Sequence, residues 1–174
     1  MTRWTGPLFL TLVAAVALHM ATILAIPSLI MDRAMSRMAD SGIPLHAFRL
    51  APRMTPQTQS VVRPSPDLAY SICRFDFTER AEPVDMTMAG YADYGSLSFF
   101  DADTDNFATV RGDGTAVDVR LYPAGGAARK AAGEHVSVTA PTSRGLILIR
   151  RLAPTRAAYG HVERISAGDR CGAT

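Results

Sequence analysis

Hydrophobic and polar positions alternate in two quite different ways along this chain. From Pro7 to Ile26, PLFLTLVAAVALHMATILAI, no residue carries a formal charge and His19 is the one strongly polar position. An unbroken apolar run predicts a helix, and twenty residues at about 1.5 Å each cover about 30 Å, the thickness of a bilayer's hydrocarbon core. In SLIMDRAMSRMADSG (28–42), Met31, Met35 and Met38 recur at helical spacing with Asp32, Arg33 and Arg37 between them. Ser28 can cap a start, and Ser41-Gly42 before Pro44 can end it. This is a second helix, or the first continuing past a kink at Pro27. The methionine stripe reads as a packing face, against headgroups or the following domain, before a soft-metal site.

Beyond Ser71 the period falls to two. In SICRFDF (71–77), Cys73, Phe75 and Phe77 alternate with Arg74 and Asp76, as in a half-buried strand. VDMTM (84–88), SLSFF (96–100), NFATVR (106–111), AVDVRLY (116–122) and HVSVTA (135–140) follow. GLILIRRL (145–152) has a continuous apolar centre, which predicts a central strand buried on both faces. Before them, SPDLAY (65–70) reads as a single helical turn with Pro66 at its first position. After them, PTRAAYGHVERISAG (154–168) places Ala158, Val162 and Ile165 on one helical face, with Pro154 or Thr155 at its start and Gly168 as its stop. Seven short strands between Gly, Pro and Asp turns predict an antiparallel β-sandwich or partly open barrel, preceded by a transmembrane helix and closed by a C-terminal helix.

The 174 residues thus divide into an N-terminal transmembrane anchor (1–27), a juxtamembrane helix (28–42), a proline-rich linker or strap (43–66) and a β-rich domain with its closing helix (67–174). A cleaved signal peptide is the rival for the first segment. The apolar run exceeds the ~7–15 residues of a signal core, and ILAIPS is a poor cleavage site, so an uncleaved anchor in the lipid bilayer is expected. Of 18 basic residues only Arg3 precedes Pro27, and all 16 acidic residues follow it, so the remainder is nearly neutral. No basic run exceeds two residues, which excludes a nucleic-acid field. Arg33 and Arg37 after the span, against Arg3 before it, lean towards a cytoplasmic C-terminal side.

The closest approach to a chemical signature is DADTDN (101–106), with Asp101, Asp103 and Asp105 at alternate positions. A calcium loop would next need glycine and, six residues further on, a bidentate glutamate between helices. Here Asn106 and Gly112 occupy those positions and the flanks alternate as strands, so the aspartates read as a hairpin corner. YPAGGAARK (122–130) lacks the ending of a phosphate loop and reads as a flexible loop. His46, His135 and His161 are isolated, with no metal-ligand spacing. Ser71, Ser96 and Ser98 lie on strands without a nucleophile elbow. Arg144, Arg150 and Arg151 read as solvated strand ends. No catalytic, cofactor-binding or metal-binding residue is therefore assigned, and no cofactor. Cys73 and Cys171 have neither a CxxC nor a nearby partner for zinc. In an oxidising compartment they could form a disulfide closing about one hundred residues, worth up to ~4–5 kcal/mol in the chain-entropy treatment; in the cytoplasm they would be free thiols.

Three stretches, PDLAYSICRFDF (66–77), YGSLSFFDADTDNF (94–107) and RGLILIRRLAP (144–154), resemble the domain-of-unknown-function 1254 family in its short, membrane-anchored bacterial form. The likeness in order and spacing covers nearly the whole chain, from the apolar span to the RC near the C-terminus. The chain departs from it at Gly95, where relatives tend to have a bulky aromatic, and at Thr104, where they often have glycine. The resemblance implies a β-rich domain exported to the cell envelope, with no activity or catalytic residues to carry over, and it favours a periplasmic domain held at the inner membrane over the orientation that the arginines suggest. Longer relatives join this domain to a companion of unknown function numbered 1214, which a separate protein could supply here. The reading is a non-catalytic interaction module; the alternative is a periplasmic enzyme or small-ligand binder using a cleft in the sandwich, with Asp101 and Asp103 as its carboxylates.

Overall fold

A computed structural model describes residues 4–57, 64–79, 81–126 and 135–173. The apolar run and the methionine stripe form one helix, α1 (Thr5–Asp40), which passes through Pro27 without a break. Its N-terminal two-thirds project from the rest of the molecule, with Leu8, Phe9, Leu18 and Leu24 exposed. Met31 is buried, and Met35 and Met38 are half-buried, so the stripe faces the domain.

Nine strands follow among the described residues: β1 (Arg49–Leu50), β2 (Leu68–Asp76), β3 (Val84–Met88), β4 (Gly95–Phe100), β5 (Asn106–Arg111), β6 (Val117–Tyr122), β7 (Val136–Thr139), β8 (Arg144–Leu152) and β9 (Arg170–Ala173). Helix α2 (Arg156–Ser166) lies between the last two, capped by the Thr155 side chain, which accepts from the Ala158 N–H. One sheet has the order β1-β2-β8-β4-β5 and the other β7-β6-β3-β9. All pairings are antiparallel except β6 with β7. The architecture is a mainly β two-sheet sandwich, not a closed barrel.

The core lies between the sheets. Cys73 and Phe75 from β2, Leu97 and Phe99 from β4, and Ile147 and Ile149 from β8 meet Val84, Met86 and Met88 from β3 and Val119 and Leu121 from β6, all buried. Each such side chain contributes about 1.5–3 kcal/mol relative to remaining exposed. Gly145 is required by close packing: a Cβ there would overlap the Phe100 carbonyl oxygen and stand 2.7 Å from Phe75 Cζ.

Three expectations are corrected. SPDLAY is not a helical turn: Pro66 and Asp67 turn the chain and Leu68 begins β2. The reason is pairing, since β2 runs in register with β8 from Leu68 opposite Leu152 to Asp76 opposite Arg144, and a full ladder outweighs one local turn. Strand β8 is central in its sheet, but only alternate residues are fully buried; Leu146 and Leu148 face a half-covered side. Two short strands were not foreseen, because β1 and β9 are too short to show a period. Residues 127–130 of YPAGGAARK (122–130) lie outside the described residues.

Candidate interaction groove

The DADTDN corner is built as a turn. Asp101 is buried, and its Oδ1 accepts the Asp103 and Asp105 N–H groups, each at 2.9 Å. Asp101 N–H donates to the Asp105 carbonyl at 3.0 Å. Asp103 and Asp105 point outward from this corner and are exposed. Thr104 occupies left-handed backbone space at φ 70°, which a β-branched residue seldom adopts and glycine adopts freely. The corner sits at one end of the sandwich, not in a cleft between the sheets.

The other candidates scatter. His46 Nε2 accepts the Asp76 N–H, His161 lies beside the Tyr91 ring on the far side of the domain, and His135 is exposed before β7. Among the described residues no three His, Cys, Asp or Glu groups converge as a metal site. Ser98 Oγ bonds with Thr109 Oγ1 at 3.1 Å and accepts from Arg150 Nη2 at 2.7 Å, while Ser96 Oγ pairs with the Tyr94 hydroxyl.

Arg151 is a further correction. It is not a solvated strand end: only 1% of its surface is exposed. Its Nη1 donates to Asp169 Oδ2 at 2.8 Å and its Nη2 to Asp169 Oδ1 at 2.6 Å and to the Ala89 carbonyl at 2.9 Å. Asp169, itself buried, also accepts from the Ala89 N–H and from Ser71 Oγ. One carboxylate thereby ties together β2, the end of β3, β8 and the turn before β9. A sequence signal existed: Arg151 shares the parity of Ile147 and Ile149, which face the core. Its charge hid that parity. Next to it, Tyr91 donates to the Leu152 carbonyl at 2.5 Å. Burial, then the Asp93 charge, push the Tyr91 phenol above its ordinary value, and Arg151 opposes them.

Cys73 on β2 and Cys171 on β9 are joined by a disulfide, with Cα atoms 6.7 Å apart, linking the two sheets. Strand β9 pairs with β3 on one side and is an edge of its sheet. Beside it the strap residues Ala47 and Phe48 rise to form the opposite wall of a groove of about 500 Å³. Asp169, Arg170, Cys171 and Gly172 form the β9 wall, and Asp85 and Thr87 close it from β3. Its carboxylates are engaged: Arg120 grips Asp85 through two bonds of 2.5 and 2.7 Å, and Arg151 holds Asp169. The bond to Asp85, and then its charge, hold the Arg120 guanidinium more firmly protonated than usual. Chemically the groove offers a strand edge, an aromatic side and one exposed cation, Arg170.

Residues 46–172 match the family described as "Protein of unknown function (DUF1254)". The chain belongs to this family. In the DUF1254 chain the match begins within the strap and ends inside β9, so both walls of the groove fall within it. The chain matches no curated protein. Its fold resembles that of the VPA0106 protein from Vibrio parahaemolyticus, at 12% identity and a TM-score of 0.63 over 84% of this chain. An uncharacterised protein from Burkholderia cenocepacia aligns at 13% identity and a TM-score of 0.46, over 64% of this chain and 32% of its own. The chain spans about a third, 35%, of the length of the Vibrio protein.

Proposed function

We propose that this DUF1254 chain is a single-pass, membrane-anchored envelope protein whose sandwich is a non-catalytic interaction module that binds a protein partner along the β9 groove. Helix α1 is long and apolar enough to cross a bilayer, and its apolar residues are exposed. The disulfide between Cys73 and Cys171 favours an oxidising compartment, which supports the reading of a periplasmic domain at the bacterial inner membrane. The observation that carries the reading is the groove itself: its carboxylates are neutralised by Arg120 and Arg151, while the β9 edge remains available for a main-chain partner. A separate protein carrying the companion domain 1214 is the partner of choice, and the larger size of the Vibrio protein agrees with a module that works beside further domains.

Co-purification of the full chain from solubilised membranes tests this. A retained protein that is lost on Arg170→Glu, which reverses the exposed charge of the groove, supports the groove. A monodisperse monomer with nothing retained overturns it.

A further inference from the structure

The end of the sandwich from which the helix departs is formed by three segments bonded to one another. Asp76 at the end of β2 lies opposite Arg144, Phe77 N–H donates to the Ser143 carbonyl, and the Ala102 N–H of the aspartate corner donates to Thr142 Oγ1. Helix α1 meets this end early. Leu29 and Ile30 are still 59% and 57% exposed, yet Met31 is 4% exposed and Asp32 pairs with Arg144 at 2.7 Å.

No slack follows the helix. The Gly42 carbonyl accepts from Arg49 at 2.7 Å, the Ile43 carbonyl accepts from Arg74 Nε at 3.0 Å, and His46 is bonded through both its backbone N–H and its ring to the end of β2. The segment expected as a linker or a strap is, in this part, fastened to the sheet. A continuous helix and a fastened strap make the height of the domain above the bilayer a matter of counting residues.

If the apolar run ends at Ile26, Asp32 stands about 9 Å further along the axis at 1.5 Å per residue. The interfacial layer on each side of the hydrocarbon is about 5–8 Å deep. The Asp32–Arg144 contact therefore falls at the outer boundary of the headgroups. We infer that this end of the sandwich, formed by residues 76–79, 101–105 and 141–144, is seated directly on the lipid headgroup layer, leaving the α2 end turned away from the membrane. The inference rests on the anchor reading and adds the face that the lipid surface covers.

The chain supplies its own control, because Trp4 is its only tryptophan. The full chain is reconstituted in phosphatidylcholine–phosphatidylglycerol vesicles containing a lipid with a headgroup nitroxide quencher, or one with brominated acyl chains. In a Trp4→Phe background, Ser143→Trp and, as a second position at the same end, Asp103→Trp report on the seated face. Glu163→Trp on α2 reports on the far one, since α2 packs around Ala69 and Ala153 at the other end of β2 and β8. Headgroup quenching several-fold stronger at positions 143 and 103 than at 163 supports the inference. Equal or weak quenching at all three, with native Trp4 quenched, overturns the seating alone. An unquenched Trp4 overturns the anchor and the seating together.

Discussion

Arg151 and Asp169, 18 residues apart, form a two-bond ion pair in which neither side chain has more than 1% of its surface exposed. Such a pair adds little over an apolar substitute of the same shape, but breaking it strands a buried charge. Asp169→Asn should therefore lower stability by about 3–5 kcal/mol, as read from the urea midpoint. Ser71→Ala, which removes one 3.3 Å donor to the same carboxylate, should cost only about 0.5–1.5 kcal/mol. Equal effects of the two would show that the charge pair is not what organises this junction.

The disulfide encloses strands β3 to β8 and helix α2, with 98 residues of separation. Its removal enlarges the unfolded ensemble more than it alters the native contacts. Cys73→Ser with Cys171→Ser should lose about 2–5 kcal/mol, the upper figure being the chain-entropy value for a loop of this size. Denaturation of the native chain with and without reductant provides the same comparison without mutation.

At the aspartate corner, local strain and local bonding oppose each other. Thr104→Gly should raise the melting temperature, by an amount equivalent to about 0.5–1 kcal/mol, because glycine relieves the left-handed backbone. Asp101→Ala should lower stability by about 2–3 kcal/mol, since two backbone N–H groups lose a charged acceptor. Calcium or a chelator should leave the melting temperature unchanged; a calcium-dependent rise would turn the corner into a metal loop.

Two phenols, buried Tyr91 and half-buried Tyr159, make the protein sensitive to alkali. Burial, with Asp93 for Tyr91 and Glu163 for Tyr159, raises both above the ordinary value of 10.0. Each contribution is fully present below that value, where the phenol is neutral in both states. It is lost as pH rises from there through the folded-state pKa, because the unfolded chain ionises first. Stability measured by urea should fall over this alkaline range. Tyr91→Phe with Tyr159→Phe should flatten the fall and lower the plateau, since the hydroxyls also donate to Leu152 and Ala51.

What the sequence by itself determined was whatever repeats locally. A period of two fixes that Cys73, Phe75, Met86 and Val119 face inward, because a strand's side chains alternate whatever it pairs with. Twenty uncharged residues fix a rod long enough for a bilayer, and Thr155 with Gly168 brackets α2 within a residue or two. The 101–106 corner was legible for the same reason: its bonds join residues no more than four apart. Only the tertiary structure decided the rest. Pro66–Tyr70 lost its local turn to a nine-residue ladder, and β1 and β9 exist because an existing sheet offers them an edge. Arg151 became interior because Asp169, distant in sequence, arrives to neutralise it. The groove likewise joins Phe48 to Gly172, and no periodicity within a window of neighbours can encode a contact made across the whole chain.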